Sequence, residues 1–185
     1  MKYVLASASP RRRELLLQII PSFEVAFPNV NEERYLTGTP EEIVCHLAEA
    51  KCESVFKMNP TKTVIGCDTI VIFEGEAIGK PQSKLDAVLT LKRLSGRVHS
   101  VLTGVCVRNR YNKFIDYERT DVKMNTLSDQ FIKQYVESGK PLDKAGSYGI
   151  QDGGLVDEYF GSYTNVMGLP VPLVKKMLKE VLSDV

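Results

Sequence analysis

Residues 62–73 read KTVIGCDTIVIF, in which the apolar run from Val64 onward is broken only by Gly66, Asp68 and Thr69. The run reads as a strong buried strand. Just upstream, TGTPEEIVCHLAEAK places Thr39 as N-cap, Pro40 at the first helical position and Glu42 at capping-box spacing, which predicts a helix over residues 39 to about 56. Downstream, EGE is a turn and AIGKP a short return. Helices are predicted over 83–94, ended by Gly96, and over 128–137, ended by Gly139. Between them VHSVLTGVCVR and FIDYERTDVKM form a hairpin joined through NRYNK. A glycine-rich segment, KAGSYGIQDGG, leads to a short strand at LVDEYFG and an amphipathic helix at VPLVKKMLKEVL. At the start, KYVLAS and FEVAF are strands on either side of a helix from Pro10 through Leu15, Leu16 and Ile19. Strands interleaved with helices plus a central hairpin predict an α/β fold with a mixed sheet.

The 185 residues, 43% hydrophobic and 25% charged, suffice for one large domain or two small lobes. A net charge of +1 argues against a general nucleic-acid coat, so positive potential must be local. There is no secretion signal and no apolar run near the ~20 residues that span a bilayer, which predicts a soluble cytoplasmic protein. Cys45, Cys52, Cys67 and Cys106 show neither C-x-x-C nor metal spacing and read as reduced packing residues.

The first helix breaks the dipole rule that the second obeys. Ser9 caps it and Pro10 follows, yet Arg11, Arg12 and Arg13 fill its first turn. Each cation there opposes the helix dipole by roughly 0.3–1 kcal/mol, a sign that a bound anion would reverse. Lys51 falls on the apolar stripe of Val44, Leu47, Ala48 and Val55, so its ammonium points toward the sheet or a cleft, or snorkels to water. Asp68 interrupts a buried strand, where a carboxylate needs cations, donors or a metal around it unless it only fixes a turn. Glu32, in NVNEER, is a weaker candidate. Lys80, in GEAIGKP, is not in a P-loop, because three residues rather than four separate the glycines and Pro81 follows the lysine; it can still reach a phosphate as a point charge. With only His46 and His99, and no G-x-S-x-G, His-driven hydrolysis and a zinc site find little support. The remaining cations and carboxylates suit a polyphosphate bound with Mg²⁺.

LASASPRR, LAEAK, VIGCDTIV, GKP, LSGRVHSVLTGV, DKAGSYGIQ and GSYTNVMGLP, in that order over nearly the whole chain, resemble the Maf-like nucleotide pyrophosphatases, also called septum-formation inhibitor proteins. The resemblance implies a single domain over 1–185, with an elongated inosine-triphosphatase-like α/β fold, a mixed sheet flanked by helices, and two lobes around a central cleft. It implies hydrolysis of a nucleoside triphosphate to the monophosphate and pyrophosphate with a divalent cation, Mg²⁺ or Mn²⁺. On this reading water is expected to attack the α-phosphorus in line, and a homodimer is allowed.

By the same resemblance Ser7, Ser9, Arg11 and Arg12 begin the phosphate site, Lys51 and Lys80 contact the same ligand, and Glu32 and Asp68 serve the metal and the attacking water. Asp68 matches the proton acceptor. Arg12, Thr69 and Gln151 match the branch acting on dTTP and UTP rather than on 7-methyl-GTP, and the Gln151 amide suits the O4/N3 edge of a pyrimidine. Two positions depart from the pattern: Asn31 where an acidic residue often stands, and Asp152 where glycine is commoner. The competing readings are a 7-methyl-GTP pyrophosphatase of the sister branch, a non-catalytic nucleotide sensor acting in cell division, and a nucleic-acid binder using SPRRR. Near-neutral charge and scattered aromatics weigh against the last.

Overall fold

The computed structural model describes residues 2–183. Its elements, in order, are β1 (Tyr3–Ala6), α1 (Pro10–Leu17), β2 (Glu24–Ala26), a 3-10 turn (Glu32–Tyr35), α2 (Pro40–Phe56), β3 (Thr63–Phe73), β4 (Glu76–Ile78), α3 (Lys84–Leu94), β5 (Val98–Arg108), β6 (Lys113–Met124) and α4 (Asp129–Glu137). Three short 3-10 turns then lead to β7 (Val156–Phe160), α5 (Tyr163–Val166) and α6 (Val171–Ser183). The strands make a mixed seven-stranded sheet in the order β2-β1-β3-β5-β6-β7, with β4 pairing on β3. β1 runs parallel to β2 and β3, whereas β4 and β7 are antiparallel to their neighbours. The mixed α/β architecture predicted above is therefore the one observed. No helix among the described residues is long and apolar enough to cross a membrane.

Two compact units divide the chain. The first holds the described residues up to Thr69, Thr103–Glu118 and those from Gly168 onward; the second holds Ile70–Leu102 and Arg119–Met167. In the first, Val4 and Ala6 of β1 and Val64 of β3 pack with Ala48, Cys52, Val55 and Phe56 of α2 and with Cys106. The pairing Leu5↔Ile65 and Ala6↔Gly66 fixes the register of β3. The capping box at Thr39 forms as the sequence predicts, with Glu42 accepting from the Thr39 amide at 2.8 Å. Cys52, Cys67 and Cys106 are buried, and burial pushes the Cys67 thiol up to about 12.

In the second unit Ala87, Leu91 and Leu94 of α3 and Ile132, Tyr135 and Val136 of α4 cover Val71, Phe73, Val101, Val122 and Met124 of the strands. His99 is buried there, its Nε2 at 2.7 Å from the Tyr148 hydroxyl. Burial pulls its pKa down to about 4, so the imidazole is neutral at ordinary pH.

One boundary differs from expectation. α1 ends at Leu17 rather than Ile19, because the amides of Gln18 and Ile19 tighten onto the carbonyls of Leu15 and Leu16, three residues back. Pro21 then disfavours helical backbone at Ile20.

Candidate active site

Two glycines decide where α2 lies. A Cβ at Gly66 on β3 would stand 2.5 Å from the Ala48 carbonyl oxygen, and one at Gly104 on β5 would stand 2.2 Å from that of Val44. Helix backbone therefore rests directly on strand backbone, a contact that any side chain at these positions would prevent. Residues two apart on a strand share a face, so Asp68 also faces α2. Lys51, one turn beyond Ala48, meets it: the ammonium donates to Asp68 Oδ1 at 2.5 Å. The same Nζ lies 2.8 Å from Oε1 of Glu32, which the 3-10 turn presents.

The Lys51 and Asp68 side chains are 12% and 11% exposed, while Glu32, at 56%, opens the cluster to water. The lysine on the apolar stripe thus points inward to a carboxylate, and the aspartate inside the buried strand has the partner that its burial demands. Because both carboxylates touch one nitrogen, their oxygens are no farther apart than those two distances together.

Thr69, the next residue along β3, faces the other way, where α1 delivers Arg12. The guanidinium donates from Nε to the Gly168 carbonyl at 2.7 Å, from Nη2 to Thr69 Oγ1 at 3.0 Å and from Nη1 to Ser7 Oγ at 3.4 Å. Ser7 Oγ also accepts from the Ser9 amide, and Ser9 Oγ caps α1 by accepting from the Arg12 amide. Thr103, fully buried on β5, pairs its hydroxyl with that of Thr69 at 2.9 Å. Three of the five guanidinium N–H groups are engaged with neutral protein oxygens, which satisfy those donors at the helix start. Arg11 is half-buried beside it and Arg13 is exposed.

A family model described as Maf-like protein matches residues 2–181. The chain belongs to the Maf family. Among curated relatives, a Bacillus pumilus protein named dTTP/UTP pyrophosphatase is 43% identical over 178 residues, covering 95% of this chain and 94% of the relative. A Thermococcus gammatolerans protein of the same name is 45% identical over 185 residues, covering 97% and 98%. Among solved structures, the Staphylococcus aureus Ham1 protein aligns with a TM-score of 0.57 at 14% identity over 97% of this chain and 99% of that one, a likeness of fold.

Lys80 and Gln151, also implied by the Maf resemblance, belong to the second unit. Lys80 is exposed after β4, where it lines a cavity of about 300 Å³ with Ile78, Asp86, Thr90 and Arg93. Gln151 is exposed in the last 3-10 turn before β7, its amide folded back over Gly149. Asp152, the departure from the Maf pattern, accepts from the Tyr135 hydroxyl at 2.6 Å, and the other departure, Asn31, is exposed at the start of the Glu32 turn. Sequence reasoning missed the Thr103 hydroxyl that pairs with Thr69 and the Tyr135 hydroxyl that meets Asp152. The first is hidden within LSGRVHSVLTGV, and Tyr135 sits on the apolar stripe of α4, where it reads as core.

Proposed function

We propose that this protein is a nucleoside triphosphate pyrophosphatase that hydrolyses dTTP and UTP to the monophosphate and pyrophosphate. The observation that carries the reading is the buried Asp68 on its strand, held by Lys51 with Glu32 on the same ammonium. The names of the relatives supply the substrates.

The donor set fits a hard divalent ion. Mg²⁺ is commonly held through one or two carboxylates, with waters and substrate phosphates completing its shell. Among the described residues no group of three or more His, Cys, Asp or Glu gathers, so Asp68 and Glu32 would be the protein's share. A bound Mg²⁺ or Mn²⁺ supplies neutralisation of phosphate charge.

The chain's own residues do the rest. Asp68 orients the attacking water and takes its proton. Lys51 holds that carboxylate in place and offsets negative charge beside it. The start of α1, with Ser7, Ser9 and Arg11, gives phosphate oxygens amide, hydroxyl and guanidinium donors, and Lys80 gives a point charge. Arg12 holds Thr69 and Ser7 in place, so part of its contribution is positional. Gln151 reads the pyrimidine edge, because an amide that donates and accepts rejects a base that leaves it unpaired.

The test is pyrophosphate release from a panel of nucleoside triphosphates with Mg²⁺ or Mn²⁺. Release from dTTP and UTP is expected. Preferential release from 7-methyl-GTP would move the specificity to the sister branch, and tight binding without release would make the protein a sensor.

A further inference from the structure

Gly149 is the point on which a buried polar cluster converges. Its amide donates to the Tyr135 hydroxyl oxygen at 3.1 Å, and that hydroxyl donates to Asp152 Oδ2 at 2.6 Å. Lys144 Nζ lies 3.9 Å from the same Asp152 oxygen, donates to Asp143 Oδ1 at 2.8 Å and to the Lys140 carbonyl, and its side chain is 10% exposed. Burial, and then the hydrogen bond to Asp152, push the Tyr135 phenol well above its ordinary value, so it remains a donor. Three side chains close over the bare Cα of Gly149. A Cβ there would stand 2.6 Å from Gln151 Nε2, 2.8 Å from Asp152 Oδ2 and 2.9 Å from Lys144 Cε.

Gln151 is thus an exposed side chain seated on a turn whose two flanks, Gly149 and Asp152, are both tied to one phenol. We propose that Tyr135, Asp152 and Lys144 are positioning residues that hold the Gln151 amide in the orientation that selects a pyrimidine triphosphate. The proposal rests on the reading of Gln151 as the base-recognising side chain. It also accounts for Asp152, whose Oδ2 is turned onto Tyr135 and Lys144. A glycine at 152 would leave the phenol without that acceptor. Lys144 lies between two carboxylates, the exposed Asp143 and the largely buried Asp152, and its ammonium offsets the charge of the buried one.

The test combines kinetics with amide exchange on the full chain. Tyr135→Phe keeps the ring and its packing while removing both hydrogen bonds; Asp152→Asn keeps an acceptor, and Asp152→Ala removes it. Faster exchange of the Gly149–Asp152 amides is expected in Tyr135→Phe and Asp152→Ala, with Asp152→Asn close to wild type; this readout does not depend on turnover. Unchanged exchange overturns the anchor.

In steady-state assays Tyr135→Phe is expected to lower kcat/KM for dTTP and UTP about five- to thirtyfold, chiefly through KM, while kcat/KM for GTP and ATP stays level, so that selectivity falls. In a Gln151→Ala background the same substitution should change selectivity no further. Equal losses on every nucleotide, or an additive effect in that background, overturn the proposal even if the wild type is a dTTP/UTP pyrophosphatase. A wild type that releases pyrophosphate without preferring pyrimidines overturns the reading of Gln151 and the proposal with it, whatever the exchange data show.

Discussion

Replacing Gly66 by alanine tests whether the close approach of α2 to β3 is what brings Lys51 to Asp68. The added methyl would stand 2.5 Å from Ala48 O, 2.7 Å from Cys52 N and 2.8 Å from Cys52 Cβ. Two of these three atoms are backbone, so a rotamer change cannot relieve the overlap. Restoring ordinary contact requires the helix to withdraw by about 1 Å, and inserting a methyl group into such a packed contact costs about 1–3 kcal/mol. The same withdrawal stretches the 2.5 Å contact between Lys51 and Asp68 to about the limit of a hydrogen bond. Misplacement on this scale lowers turnover by up to about a hundredfold. The two effects separate in two assays: urea unfolding for stability, and pyrophosphate release from dTTP well below the melting temperature for activity. Gly79→Ala, whose added methyl has no atom within 4 Å, is the control for stability. A Gly66→Ala protein within about 0.5 kcal/mol of wild type and fully active would refute the argument.

Asp68→Asn keeps the shape but removes the charge facing Lys51. Pyrophosphate release should fall at least ~10²-fold with the fold intact by circular dichroism, and near-normal turnover would remove Asp68 from the role of base. Arg12→Lys replaces a fork that meets three acceptors with a point charge, and a fall in Tm of about 2–6 °C is expected; an unchanged melt would mean the three hydrogen bonds contribute nothing net. His99 binds its proton near 6.5 when unfolded but only near 4 when folded, so acidification favours the unfolded chain. Stability should therefore fall by up to about 3 kcal/mol between those pH values. The His99→Gln variant should show a flatter curve over the same interval in urea titrations, and an identical curve would assign the acid sensitivity elsewhere.

Much of this architecture is legible in local chemistry. Thr39, Ser83 and Ser128 cap the helices whose starts their positions predict, and the hairpin of residues 98–124 follows from two long β-forming runs around a polar turn. Lys51 and Asp68 are legible as residues out of place, because an ionised group among apolar neighbours needs a partner; the partner's identity needs the fold. Spacing on one helix cannot say which strand lies opposite. The role of Arg12 is only partly legible. The helix-dipole argument asks what a cation at a helix start meets, and the answer here includes the carbonyl of Gly168, 156 residues away. The anchor beneath Gln151 is hidden for a similar reason: Tyr135 serves the α4 core with its ring and the turn with its hydroxyl, and hydrophobic periodicity reports only the ring.

Asp68 and Thr69 are neighbours in the chain yet serve opposite sides of β3, and this adjacency constrains how the protein can change. A point substitution at either position disturbs one side alone. Inserting or deleting a single residue in the N-terminal part of β3 would turn the strand over, exposing the hydroxyl to Lys51 and driving the carboxylate against the Thr103 side. Variation by length is thus closed to this segment, and descendants of the sequence can diverge here only by exchange of one residue for another.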